Sequence, residues 1–201
     1  MNTSSLPHPD TREHILEVGE AIILGKGFAA VGLAEILGSA QVPKGSFYHY
    51  FRSKEQFGTA LLERYFDRYL ADLDRLLTTP QAATGLLDYW ESWRRHQGGC
   101  RAEEQCLVVK LSAEVADLSV AMREALDQGT RRIMARLAEA LATGQKDGSL
   151  PALANPSATA LELYALWLGA SLLTKLRLDA SALDQAMALT RSRLGLPPAQ
   201  A

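Results

Sequence analysis

Residues 41–54 read QVPKGSFYHYFRSK, and the fold turns on how this stretch is understood. It holds Lys44, Arg52 and Lys54 and no carboxylate, interleaved with Phe47, Tyr48, His49, Tyr50 and Phe51. In a chain of 201 residues with a formal net charge of −2, a cationic island of this kind calls for an anionic partner. Nucleic acid is the first candidate.

The flanks sharpen the reading. Leu33, Ile36 and Leu37 stand at i, i+3, i+4 and predict a short amphipathic helix, weakened by Gly38 and Ser39 and ended before Pro43. Pro43 suits the first position of a second helix, where its missing N–H is no loss, and that helix is predicted over 44–50. Two short helices across a tight turn make a helix-turn-helix. The second helix would enter the major groove, with Gly45 allowing close backbone approach and Lys44, Ser46, Tyr48 and His49 reaching the DNA.

Each residue also has a structural reading. Phe47, Tyr50 and Phe51 are expected in the core of a small three-helix unit, whereas Tyr48 and His49 fall beside the apolar positions and can donate to phosphate. Ser53 is a candidate N-cap for a third helix starting at Lys54. A lysine in a first helical turn opposes the helix dipole unless an anion docks nearby, which makes Lys54 a candidate phosphate contact.

Upstream, Ile15, Val18, Gly19 and Ile22 predict a helix capped by Asp10 or Thr11 and stopped by Gly25 and Gly27. Residues 1–54 balance Arg12, Lys26, Lys44, Arg52 and Lys54 against Asp10, Glu13, Glu17, Glu20 and Glu35. Only the 41–54 edge is electropositive, which suits a small oriented phosphate footprint rather than general coating of nucleic acid.

The run LAEILGSAQVPKGSFYHYFRSKEQF over 33–57, within residues 11–62, closely resembles the DNA-binding domain of the tetracycline-repressor (TetR) family of bacterial transcription regulators. The resemblance implies an all-α homodimer. A three-helix helix-turn-helix domain, placed here at 1–54, would bind a half-site of near-palindromic double-stranded operator DNA. A larger helical sensing and dimerisation domain, placed at 55–201, would take an inducer.

Composition fits that plan. A chain with 47% hydrophobic residues can bury a proper core. No apolar run reaches the ~18 residues of a membrane span, and MNTSSLPHPD has neither the basic region nor the apolar core of a secretory signal. A cytoplasmic location without membrane attachment is expected. The two cysteines, Cys100 and Cys106, then face a reducing compartment where a permanent disulfide is unusual. Without CxxC or Cys/His spacing, neither a metal nor a cofactor is expected.

An amphipathic pattern from Lys54 to Leu77 is too long for the reader alone and is expected to bridge both domains. Thr79 and Pro80 end it, and a further helix over about 82–96 carries Leu86, Tyr89, Trp90 and Trp93 on one side. Residues 98–119, GGCRAEEQCLVVKLSAEVADLS, then place Cys106 in or near the opening turn of a helix bearing Leu107, Val108, Leu111 and Val115. Unpaired backbone N–H groups and Lys110, one turn on, favour a thiolate there; Glu103 and Glu104 oppose it. Free cysteine is also among the most buried residue types, and the residues alone leave packing and reactivity both open.

The segments CLVVKLSAEVADLS and LYALWLGASLLTKL (163–176) resemble the TetR subgroup that includes the repressor of N-ethylmaleimide reductase. That resemblance implies a response to electrophiles and reactive chlorine through Cys106, with Lys175 beside it. The inducer would be a small electrophile or oxidant.

Downstream, Met122 to Leu141 continue a helical pattern, and 144–156 is expected as a loop. A helix over 161–176, apolar nearly all round, is expected to be buried on several sides. With its small residues Ala165, Gly169, Ala170 and Ser171, it is assigned together with a 128–141 helix to a two-fold interface. Lys175 near its end also suits the helix dipole. Leu183, Met187, Leu189 and Leu194 predict a last helix.

Two other functions stay open. In one, a repressor takes a noncovalent apolar inducer and Cys106 only packs. In the other, the chain is a cysteine-dependent enzyme. Against catalysis, no Ser/His/Asp, Cys/His or paired-carboxylate arrangement is present, since His96 is the only histidine beyond residue 50.

Overall fold

The computed structural model describes residues 8–98 and 107–198. Among them lie nine helices and no strand: α1 (His8–Lys26), α2 (Leu33–Ala40), α3 (Lys44–Tyr50), α4 (Lys54–Leu77), α5 (Ala82–Gly98), α6 (Leu107–Leu118), α7 (Val120–Lys146), α8 (Pro156–Arg177) and α9 (Ser181–Arg193).

Helices α1 to α3 form the reader around Ile15, Leu16, Ile23, Ile36, Phe47 and Phe51, all buried. The inward face of α1 is thus Ile15, Leu16, Gly19 and Ile23; Val18 and Ile22, expected there, are half-buried. Helix α1 also begins at His8, before the Asp10 or Thr11 cap read from sequence. Gln41, in the left-handed region at φ 54°, closes α2, and its backbone N–H donates to the Gly38 carbonyl. Pro43 is extended (φ −68°, ψ 151°) and stands just outside α3 rather than inside its first turn.

Ser53 caps α4, its hydroxyl accepting from the Gln56 amide at 3.1 Å. Along the 24 residues of α4, Phe57, Leu61, Leu62, Phe66, Leu70 and Leu73 are buried, each contributing about 1.5–3 kcal/mol by its transfer from water. The helix packs on α1 at one end and on α5 and α7 along the rest. On the α1 side, the buried carboxylate of Glu20 accepts from Arg64 and from Arg68, both at 2.6 Å, and Arg64 also pairs with Glu13. Two guanidinium groups offset the desolvation of one carboxylate, so the ion cluster fixes how α4 crosses α1. The expected domain boundary falls at the first residue of a helix that belongs to both halves.

Helix α7 runs through Gly144, which the sequence reading put in a loop. Leu150 folds back so closely that a Cβ at Gly144 would stand 2.6 Å from it, and the loop proper is 147–155. Helix α8 starts at Pro156 beneath an Asn155 cap. Among the described residues α8 buries one side, through Leu163, Tyr164, Trp167, Ala170, Ser171 and Thr174, while Leu161, Leu172, Leu173 and Leu176 are exposed. The exposed side of α7 is charged: Asp127, Arg131, Arg132, Arg136 and Glu139. Among these, Arg132 and Arg136 pair back to Asp67 and Asp74 of α4. That charge separates α7 from the apolar stripe of α8, with which the sequence reading had grouped it. Helix α9, antiparallel to α8 through Arg193–Glu162 and the Trp167 Nε1 to Thr190 Oγ1 bond, adds exposed Leu189.

Candidate nucleic-acid interface and sensing site

Helix α3 divides cleanly. Phe47 is fully buried against Phe51 and Phe57 at ring separations of 5.1 and 5.6 Å. On the outer side Lys44, Gly45, Tyr48 and His49 are exposed and Ser46 is half-buried. The structure brings the five candidate base and phosphate contacts of α3 onto one solvent-facing surface. Tyr48, an aromatic left 49% exposed, lies with the Lys44 ammonium 5.7 Å from its ring centroid. A Cβ at Gly45 would meet nothing within 4 Å. No neighbour in the chain requires glycine there, and the bare backbone is left open to a ligand.

Lys54 is placed differently. Its ammonium donates to the Phe28 carbonyl at 2.6 Å and sits 4.4 Å above the Phe28 ring. Burial pushes its pKa below the ordinary lysine value, and the Glu114 carboxylate works in the opposite direction. One of its three N–H donors is therefore engaged within the chain, where sequence reasoning had it facing outward. The remaining reader cations are distributed along the same half. Lys26 pairs with Glu35 at 2.5 Å, and the Arg12 guanidinium lies 5.5 Å from the Phe51 centroid.

Cys106 and Cys100, the candidate sensing and companion cysteines, lie outside the described residues. The helix expected to follow Cys106 opens at the next residue, Leu107, and buries Leu107, Val108, Leu111 and Val115 against α7 and α8. Lys175, on an exposed position of α8, has its pKa lowered first by partial desolvation and then by the charge of Lys110. The charge of Lys110, in the first turn of α6, is thus felt at Lys175. Lys110 also reaches the Gly25 carbonyl at the end of α1, at 3.4 Å.

Between α5 and α8 lies a cluster that sequence reasoning treated only as apolar. Trp90 stacks on Trp167 at 5.0 Å, and Trp93 Nε1 donates to Ser171 Oγ at 2.9 Å. Trp90 Nε1 and Thr174 Oγ1 are buried without a hydrogen-bond partner among the described residues. Among the described residues no cluster of His, Cys, Asp and Glu could hold a metal. Nor is any helix there long and apolar enough to cross a membrane.

Residues 15–61 match the family described as bacterial regulatory proteins, tetR family, and residues 82–190 match the tetracyclin repressor-like C-terminal domain. The chain is a TetR-family transcriptional regulator. It is 43% identical over 190 residues to the HTH-type transcriptional repressor NemR of Escherichia coli K12, spanning 94% of this chain and 96% of NemR. The transcriptional regulator AcuR of Cereibacter sphaeroides is 36% identical over 188 residues, spanning 87% of this chain and 79% of AcuR. The crystal structure of the reduced form of E. coli NemR superposes with a TM-score of 0.89, covering 94% of this chain and all of that one. These relatives are repressors and regulators, and this TetR-family chain is a regulator of transcription rather than an enzyme.

Proposed function

We propose that this regulator is a homodimeric repressor of a near-palindromic operator, released when a small electrophile or oxidant modifies Cys106. The observation that carries the reading is the place of Lys110 in the first turn of the helix that opens directly after Cys106, with its charge felt at Lys175. It is supported by the 43% identity to NemR, a repressor whose solved structure is described by redox state. A cationic neighbourhood stabilises thiolate, the form that reacts. With N-ethylmaleimide, the thiolate adds across the ring double bond and the adjacent carbon takes a proton. With hypochlorous acid, chlorine passes to sulfur and hydroxide leaves. The neutral Lys175 amine then displaces chloride, forming an S–N bond and losing a proton. Sulfur is oxidised by two electrons in that sequence and chlorine is reduced to chloride.

Exposed Lys44, Tyr48 and His49 and half-buried Ser46, with open backbone at Gly45, form the reading surface in this proposal, and Lys54 supports it from the start of α4. Driving release from a 99:1 to a 1:99 balance takes about 5.5 kcal/mol of differential stabilisation, which a covalent adduct supplies more readily than a weak ligand.

The second reading, a noncovalent inducer, draws on the unsatisfied Trp90 Nε1 and Thr174 Oγ1 in the aromatic cluster, which offer donors to a flat acceptor-bearing molecule. The deciding experiment is operator release by N-ethylmaleimide, methylglyoxal and hypochlorite from wild type, Cys100→Ser, Cys106→Ser and Lys175→Met. Cys106→Ser is expected to bind operator and stay bound, Cys100→Ser to respond nearly as wild type, and Lys175→Met to lose chiefly the hypochlorite response. Release of Cys106→Ser by all three reagents overturns the thiol reading in favour of the noncovalent one.

A further inference from the structure

Helix α6 holds the turn between α1 and α2 by two side chains one helical turn apart. The Glu114 carboxylate accepts the backbone N–H of Phe28 at 3.0 Å and also that of Ala29. Lys110 meets the Gly25 carbonyl at 3.4 Å. The charges match what each faces, an anion on free amides and a cation on the carbonyl end of α1. The turn is shaped for this contact. Gly27 has φ 90°, a conformation closed to most side chains, and a Cβ there would stand 3.0 Å from Glu114 Oε2.

Phe28 is held from three directions. Its N–H goes to α6, its carbonyl receives the Lys54 ammonium of α4, and its ring reaches the place where a Cβ on Gly58 would stand, at 2.7 Å, beside Met122 of α7. Among these contacts, that of Glu114 ties the reader to the helix opening next to Cys106. The turn it holds leads directly into α2 and, through it, to α3.

We infer that Glu114 is the positioning residue that couples α6 to the DNA-reading helices, gripping the Phe28 and Ala29 amides so that a shift of α6 resets the pose of α3. The direction of signalling rests on the thiol trigger proposed above; the grip itself does not. Loss of the carboxylate frees both amides and leaves the weaker Lys110 contact as the remaining side-chain tie, while the core of α6, built from Leu107, Val108, Leu111 and Val115, stays in place.

The test combines amide hydrogen exchange with operator binding, on full-length wild type, Glu114→Ala and Glu114→Gln, before and after alkylation by N-ethylmaleimide. In Glu114→Ala, the Phe28 and Ala29 amides are expected to exchange at least about tenfold faster without reagent, as befits loss of hydrogen bonds to a charged acceptor. Glutamine keeps the shape but presents one acceptor and a repelling NH2, so Glu114→Gln should protect only partially. The ratio of operator Kd after alkylation to that before, about 10⁴-fold for the full release described above, should fall towards one in Glu114→Ala, with the rate of Cys106 alkylation unchanged. A merely structural role would shift both affinities together and keep the ratio. Unaltered exchange at Phe28 and Ala29, or a wild-type ratio in Glu114→Ala, overturns the inference. If exchange changes as stated but alkylation fails to release even the wild type, the grip is supported and the thiol trigger is what fails.

Discussion

A Cβ on Gly129 of α7 would stand 2.2 Å from Cδ2 of Phe66 on α4, so the longest two helices of the regulator meet ring against bare backbone. Glycine inside a helix costs about 1 kcal/mol relative to alanine; here the close approach of α4 and α7 offsets that cost. Phe66 is 1% exposed and has nowhere to retreat. Gly129→Ala should therefore destabilise the protein by about 1–3 kcal/mol through overpacking, read as a lowered midpoint in urea. A midpoint at or above wild type would mean that the α4–α7 spacing adjusts freely.

Gly169 provides the opposite case. A Cβ there meets nothing within 4 Å, and its neighbours on the exposed side of α8 are Leu161, Leu172 and Leu176. Such a stripe is costly to leave in water, and we expect it to lie in the two-fold interface together with α9. Gly169→Arg should leave the protomer fold intact by circular dichroism yet shift sedimentation at micromolar concentration from dimer to monomer, with loss of operator affinity. A dimeric Gly169→Arg with wild-type affinity would move the interface elsewhere.

The proposed reading surface would separate into contacts that specify and contacts that position. Changes at Lys44 or Ser46 should alter base preference in a selection over random operators. Lys54→Ala should weaken all sequences alike and lower the salt slope by about two for a dimer, at about 0.9 per phosphate. The engagement of Lys54 with Phe28 O makes this informative. A slope equal to wild type would assign Lys54 entirely to holding Phe28.

The reader was legible because its signals are local. Leu33, Ile36 and Leu37, then Pro43, then Ser53 fix two helices and the start of α4 within a few residues of one another, and Phe47 and Phe51 have no other place to go in so small a unit. Gly144 misled because a glycine near polar residues looks like a loop; Leu150, packed on it, explains its presence inside α7. Helix α8 was legible as apolar but not in its division, because an apolar surface reads the same whether buried by its own chain or left for a partner. Least legible was Glu114, a polar residue on an amphipathic helix whose amide partner lies 86 positions away in sequence. No periodicity joins the two, and only the fold does.

Lys175 supplies a pH test of the proposed sensing site. Partial desolvation and, after it, the Lys110 charge lower its pKa below the ordinary 10.5, so the folded chain disfavours the charged amine. Between the folded pKa and 10.5 the unfolded chain binds more protons, and the contribution of this group to stability rises with pH across that window. Below it, the folded chain carries an unfavourable cation, and Lys175→Met should be neutral or stabilising at pH 7. The same depression raises the fraction of neutral amine available to attack oxidised sulfur. Competitive acetylation followed by mass spectrometry should place the Lys175 midpoint below that of a lysine model peptide. Lys110→Met removes the like charge and should move the midpoint up without restoring it fully, because desolvation is the larger cause. A wild-type midpoint equal to that of the peptide would remove the electrostatic basis for Lys175 as the amine that traps sulfur.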